Sequence, residues 1–328
     1  MIGYRTLAPQ DRSWKQRLRL ELMRNWQLYL LILPGVIYLL LFRYWPMLGI
    51  QIAFKDFKPT LGIWGSPWAA SRGETDVLKH FERFLDSKFS LQIVSNTVIL
   101  SLYSLLAKFP CCILLALLMN ELRSTRYKKT LQFVTYAPHF ISTIVLVGIM
   151  QQLFAAPSAL MKTGGIVNTL VTALGGQAVD FMHDENTFRH MYVWSDVWSG
   201  MGWGSIIYMA TLSGVDPEQY EAASLDGATK LQRIFYITLP ALIPTAVTLF
   251  ILDMGSVMSI GFEKAYAMQN ELNRPTAQVL STYVYTQGLN DGNYSFSTAV
   301  DLFNSLINLV LIVAVNTISR RVSDVSLW

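Results

Sequence analysis

The chain reads as an all-α membrane protein with six transmembrane helices, and three observations carry that reading. Hydrophobic residues fill 52% of the 328 positions and charged residues only 15%, with a mean hydropathy of +0.34. That balance lies outside the range of ordinary water-soluble domains. Six stretches approach or exceed the roughly 20 residues that cross a hydrocarbon core of about 30 Å as a helix. They are residues 25–42, 89–120, part of the charge-free run 130–161, a stretch near 192–212, 234–252 and 302–319. Basic residues also gather in the loops that six crossings would leave on one side.

Residues 1–24 form a basic lead in which Arg5, Arg12, Lys15, Arg17, Arg19 and Arg24 outnumber Asp11 and Glu21. Lys and Arg near span ends stay on the cytoplasmic side, so the N-terminus is expected inside. Six spans then return residues 320–328, with Arg320 and Arg321, to the cytoplasm. Pro34 lies within the first span and no small-residue cleavage site follows, so that span is expected to be retained. Residues 25–319 make one membrane domain. Its first outer loop, 43–88, carries seven basic and five acidic residues, and long loops translocate despite such charge. Trp45, Trp64 and Trp68 in that loop suit either headgroup anchoring or a partner.

The second span contains Lys108 and Pro110. A charge at the bilayer centre costs roughly 2.5–3.5 kcal/mol, so Lys108 should face the bundle, a water-filled cavity or an interface, or snorkel. Cys111 and Cys112 are adjacent, cannot form an ordinary bridge with each other, and read as small apolar groups. The next loop is basic through Arg123, Arg126, Lys128 and Lys129. The third loop sets Lys162 and Arg189 against Asp180, Asp184 and Glu185, as an outer loop should. The net charge of +4 follows from this asymmetry, and no nucleic-acid partner is inferred from it.

The loop between the fourth and fifth spans, 216–233, carries the sharpest motif. Asp216-Pro217-Glu218-Gln219 suits a helix start, with Asp216 as cap, Pro217 in the first turn and Gln219 placed to reach back. Glu221-Ala222-Ala223 then offers an acceptor on a compact surface. Gly227 permits a turn or a close backbone approach, and Ile237, Leu239 and Pro240 follow after nine residues. No G-x-x-x-x-G-K-[ST] loop and no Gly-Lys pair occurs, so ATP is not expected to bind here. His80, His139, His183 and His190 show no metal-ligand spacing, and no metal or catalytic residue is assigned.

The pattern E-A-A-x3-G-x9-I-x-L-P resembles the EAA loop of permease subunits in binding-protein-dependent ABC importers. Asn96-Thr97, Phe109-Pro110 with the run 114–121, Tyr136-Ala137-Pro138-His139-Phe140-Ile141-Ser142 and the segment 54–68 are similar to the carbohydrate branch, including importers of alginate oligosaccharides. The resemblance implies the type I importer permease fold in the cytoplasmic (inner) membrane, with the EAA helix docked onto an ABC ATPase dimer. It further implies an unlike second permease, an extracytoplasmic solute-binding protein and an oligosaccharide substrate. ATP and Mg would then be bound by the partner ATPase, and this chain would hold no cofactor and be no enzyme.

A sugar path needs aromatic faces and polar groups near the midplane. Lys108, Trp194, Trp198, Trp203, Tyr208, Tyr283, Tyr285, Asn304 and Asn308 are the candidates, with interfacial belt or helix packing as the alternative for the aromatics. Asp253 and Asp301 serve a hydrophilic passage, a helix end or solvent equally well. For an anionic uronate oligosaccharide, Lys108 or the basic outer loop would supply counter-charge. The competing functions are an ion-gradient-driven secondary transporter, which calls for inverted repeats not evident here, and a membrane enzyme, which calls for a missing catalytic constellation.

Overall fold

The computed structural model describes residues 14–71, 74–122, 124–158 and 164–322. Its principal helices are α1 (Trp14–Leu39), α2 (Lys79–Leu85), α3 (Ser90–Asn120), α4 (Thr125–Tyr136), α5 (Thr143–Leu153), α6 (Glu185–Ser213), α7 (Pro217–Leu225), α8 (Leu239–Met254), α9 (Phe262–Met268), α10 (Leu280–Tyr285) and α11 (Tyr294–Val322). The only strands among the described residues are a two-residue antiparallel pair, β1 (Ala70–Ser71) and β2 (Glu74–Thr75). Arg5, Arg12, Arg123 and Lys162, and the tail 323–328, lie outside the described residues.

Among the described residues, four helical stretches are long and apolar enough to cross a membrane: Glu21–Phe54, Ser90–Asn120, Lys230–Met254 and Tyr294–Arg321. The third expected span, within 130–161, is not one straight helix. α4 ends in a 3-10 turn over Ala137–Phe140, extended residues at Ile141 and Ser142 come next, and α5 leaves at 100°. Pro138 favours the tight turn, and Ser142 caps α5 by accepting the Val145 N–H at 3.4 Å, so each half ends with its backbone provided for. The fourth expected span is α6. Its 29 residues reach about 43 Å, but Glu185, Arg189, His190 and Asp196 make it too polar to count by composition alone. Among the described residues the bent pair brings the spans to five by length and composition, and α6 stands at the sequence position of the fourth expected span.

The most extensive packing joins α3 to α6. Glycines explain how close the two helices come. A Cβ on Gly200 would stand 2.6 Å from Lys108 Cε, and one on Gly204 would stand 2.6 Å from Cys112 Sγ. Both pairs are spaced one turn apart, which is the close-packing geometry of small-xxx-small faces in membranes. Gly202 serves a different neighbour: a Cβ there would overlap the Thr135 carbonyl of α4. α3 itself runs unbroken through Pro110.

Polar residues tie the helices to the loop before α10. Asn96 donates to the carbonyls of Pro275 at 2.7 Å and Gln278 at 3.2 Å, and accepts from Arg189 Nη2 of α6 at 2.9 Å. Thr97 Oγ1 accepts the Leu280 N–H at 2.9 Å. Asn96 and Thr97 are both buried, so each bond replaces water that the site excludes.

The long segment after the first span folds back on the start of α11. The Phe57 N–H donates to Ser295 Oγ at 2.9 Å, and the Phe57 ring stands edge-on to Tyr294. Phe84 of α2 is fully buried among Tyr283, Phe296 and Phe303. Asp56 gathers Lys79 Nζ at 3.1 Å and His80 Nε2 at 3.2 Å. Burial opposes the charge on Asp56, but the Lys79 hydrogen bond, the Ala70 N–H and the cations of Lys79 and His80 outweigh it and hold the carboxyl below its ordinary value. His80 is held below its ordinary 6.5, chiefly by burial, with Asp56 pulling it up and Lys79 pushing it down.

His80 makes this segment sensitive to pH. A base whose folded pKa is depressed binds its proton more readily when unfolded, so its contribution is complete above the unfolded value and is lost as pH falls through it. Hydrogen-exchange protection of residues 55–85 should therefore fall as pH drops from about 7.5 to about 5.5, and His80→Gln should flatten that dependence. Gly202→Val should lower the melting temperature of the detergent-purified protein by more than Gly214→Val does. The added side chain at 202 meets backbone that cannot rotate away, and overpacking costs about 1–3 kcal/mol.

Candidate functional site

Asp216 caps α7 by accepting the Glu218 N–H at 3.0 Å, with Pro217 in the first turn as expected. The reciprocal box expected of Asp216 and Gln219 is found farther on. Thr229 Oγ1 accepts the Gln232 N–H at 3.3 Å, and Gln232 Oε1 accepts the Thr229 N–H at 2.7 Å. Between the two caps, the chain turns at Gly227 with a φ of +78, a left-handed backbone that a side chain would strain, and no atom stands within 4 Å of where its Cβ would be. Gly227 is there for the turn, not for a close approach.

α7 buries none of its residues. Glu221 and Ala222 are exposed and Ala223 is half-buried, while two ties fix the helix to the start of the fifth span: Tyr220 Oη to Thr238 Oγ1 at 3.2 Å and Arg233 Nη1 to Ser224 Oγ at 2.8 Å. Leu225, Phe235 and Tyr236 are exposed beside it. Sequence reasoning passed over those three, although large apolar residues flanking a short polar helix are a docking signal. Ile237 is half-buried within a π-helical turn, Ile234–Thr238, and Leu239 and Pro240 open α8. Pro240 has no N–H to give the preceding turn, and the wider turn stands where a regular one would clash.

A cavity of about 820 Å³ lies between α3, α6 and the α8–α9 connection. α3 lines it with Ser101, Ser104, Lys108 and Cys112, one face at helical spacing, and α6 with Tyr192, Asp196, Gly200, Trp203, Gly204 and Tyr208. Lys108 Nζ donates to Asp196 Oδ2 at 3.2 Å across the two helices. Lys264 of α9 reaches the other carboxylate oxygen at 3.9 Å, donates to the Tyr192 carbonyl at 2.8 Å and stands 4.5 Å above the Tyr192 ring. Asp253 and Glu263 complete the charged lining. His139 stacks flat on Trp203, centroids 4.6 Å apart.

Lys108, Trp203 and Tyr208 thus meet in this cavity, and the other six path candidates lie outside its lining. Trp194 donates to Tyr103 Oη at 3.0 Å, and Trp198 is half-exposed on the same helix. Tyr283 packs beside Phe84, and Tyr285 beside Phe262 and Tyr266. Asn304 is buried, and Asn308 accepts the Met258 N–H at 2.9 Å and donates to Ser259 Oγ at 2.9 Å. Asp253 faces the cavity, and Asp301 is exposed on α11. Asp196 was missed although a carboxylate inside an expected span is itself a signal; Lys264, on a short helix between spans, carries none. Among the described residues no group of three or more His, Cys, Asp or Glu is placed to hold a metal ion.

Known proteins are similar to this chain in sequence and in fold. The chain is 40% identical over 314 residues to the polygalacturonan/rhamnogalacturonan transport system permease protein of Bacillus subtilis (strain 168), covering 96% of this chain and 94% of that one. It superposes with a TM-score of 0.84 and 35% identity on a chain of a bacterial ABC transporter involved in the import of the acidic polysaccharide alginate, covering 94% of this chain and 99% of that one. A second structure, of a bacterial alginate ABC transporter in complex with an alginate pentasaccharide-bound periplasmic protein, matches with a TM-score of 0.83 and 34% identity over 97% and 100% of the two chains. Residues 112–324, which include α7 and most of the cavity wall, match the family described as the binding-protein-dependent transport system inner membrane component. By the family match, the curated relative and the solved structures alike, the chain belongs to that family as a membrane-spanning permease subunit of an ABC importer and is not itself an enzyme.

Proposed function

We propose that this chain forms half of the translocation path for an oligosaccharide and takes up the ATPase stroke through α7. One observation carries the coupling role: Glu221, Ala222 and Ala223 sit on a short, capped, unburied helix that the left-handed turn at Gly227 and two side-chain ties, Arg233 to Ser224 and Tyr220 to Thr238, join to the start of α8. A movement of α7 is thereby a movement of Ile237, Leu239, Pro240 and the helix they open. ATP and Mg are bound by the partner ATPase. A second, unlike permease supplies the other wall, and an extracytoplasmic binding protein delivers the sugar. Both termini, and α7 with them, face the cytoplasm.

The cavity supports a sugar path through its Trp203–His139 stack and its paired charges. Lys108, Trp203 and Tyr208 are its candidate substrate contacts. Trp194, Trp198, Tyr283, Tyr285, Asn304 and Asn308 act as contacts only if the path widens in another state of the cycle. Acidic oligosaccharide is the substrate class favoured, since the relatives above handle polygalacturonan and alginate. An ion-gradient-driven transporter is not favoured, because the family works with an ATPase.

Gly227→Val should leave membrane insertion intact and reduce ATP-driven uptake by about tenfold or more, since a β-branched residue in the left-handed region costs at least about 1–2 kcal/mol and shifts α7. Uptake by membrane vesicles, set against the amount of inserted protein, checks it. Purification from native membrane in mild detergent should recover an ATPase and a second six-span chain by mass spectrometry. Recovery of this chain alone, still transporting under an ion gradient, would sink the importer reading.

A further inference from the structure

We propose that Lys108 is a specificity-determining residue for acidic substrate, working by exchange. Asp196 is its resident counter-ion, and a uronate carboxylate replaces Asp196 on Lys108 as the oligosaccharide passes. The proposal rests on the cavity between α3 and α6 being the substrate path.

Two ammonium groups share one carboxylate here. Lys108 holds Asp196 Oδ2 at 3.2 Å, and Lys264 stands 3.9 Å from Oδ1. The two lysines differ in freedom. Lys264 is 6% exposed and pinned by the Tyr192 carbonyl and ring. The Lys108 side chain is 41% exposed, and its stem crosses Gly200, where no side chain hinders its swing. Stripping a carboxylate of its only cation leaves the charge uncompensated, at a cost that the one-third exposure of the Asp196 side chain reduces without removing. Asp196 escapes that penalty. When Lys108 turns away, Lys264 remains, so Lys108 is the cation that can be lent.

Two serines continue the cavity face of α3 beyond Lys108. Ser104 and Ser101 lie four and seven residues back on the same face, about 6 and 10 Å along the helix axis. Their hydroxyl oxygens are buried in the cavity lining without a hydrogen-bond partner, and Ser101 is only 6% exposed. An unpaired buried hydroxyl is costly, and a turn of the Ser104 side chain toward the cavity lets a ligand pair it. A pyranose whose carboxylate sits on Lys108 spans about the 6 Å to Ser104, and the next sugar of the chain reaches Ser101. Asp253 and Glu263 on the facing wall leave the lining with three carboxylates against two ammonium groups. The excess carboxylate weakens the hold of Lys108 on an anion, and selection occurs without trapping. A neutral oligosaccharide offers no charge with which to displace Asp196.

The test uses the intact permease–ATPase complex, purified without binding protein, and equilibrium dialysis of two ligands of equal length: a uronate oligosaccharide and its neutral methyl ester. Lys108→Gln should weaken uronate binding by about tenfold and leave the ester within about twofold. Asp196→Asn removes the competitor for Lys108 and should tighten uronate binding by about threefold or more. Lys108→Arg, which keeps the charge, should retain the preference. Effects of opposite sign are what exchange requires and what a mere strut cannot produce. Exchange is overturned if both variants weaken both ligands alike, or if Lys108→Gln leaves the uronate preference unchanged. If the unaltered complex binds neither ligand, the cavity is not the path, and the path reading falls together with the exchange.

Discussion

The close approach of α6 to α3 is the constraint on which the rest of the molecule depends. Lipid supplies no hydrophobic drive between two apolar helices, so contact must come from shape and from polar pairs. Gly200 and Gly204 open one side of α6 to Lys108 and Cys112. Two residues along a helix turn the chain by about 200°, which points Gly202 nearly the opposite way, toward α4. Three glycines at alternate positions thus seat two neighbours on opposite sides of one helix. Larger residues there would push α3 away, and the span from Lys108 to Asp196 would no longer be one hydrogen bond.

That spacing also settles what polar residues do inside the bundle. α6 is the least apolar of the crossing elements because its polar side chains are spent on neighbours: Arg189 on Asn96, Asp196 on Lys108. The same logic holds away from the cavity. Asn96 and Thr97 take up the Pro275 and Gln278 carbonyls and the Leu280 N–H, which the short helical turn before α10 leaves over, and so fix that turn to α3. The segment around Asp56 is organised differently, by an ion cluster at its base and an aromatic anchor at Phe84.

Much of this was legible in the chain, for reasons that differ by element. Ser90–Asn120, Lys230–Met254 and Tyr294–Arg321 showed themselves through long apolar runs, since each must hide its backbone from lipid over its whole length. The EAA loop was legible because its chemistry is local: cap, alanines and turn glycine lie within twelve residues. The sharp bend at residues 141–142 was not, because Pro138 and Ser142 break a helix only when nothing outside restrains it. The cavity was half legible. Lys108, Trp203 and Tyr208 could be nominated one at a time, but the pairing of Asp196 with Lys264 joins residues 68 positions apart, on a span and a loop, and no spacing rule reaches that far.

The first apolar stretch, Glu21–Phe54, shows none of its hydrophobic window to the rest of the chain. Exchanges among Leu, Ile, Val and Phe in that window disturb no packed neighbour within this polypeptide, whereas an added charge meets the full penalty of the surrounding hydrocarbon. The stretch is therefore constrained as a solute and not as a piece of a jigsaw. Its tolerance to change is set by the medium or by another polypeptide, and the shape of the bundle beside it places almost no condition on which apolar residues it contains.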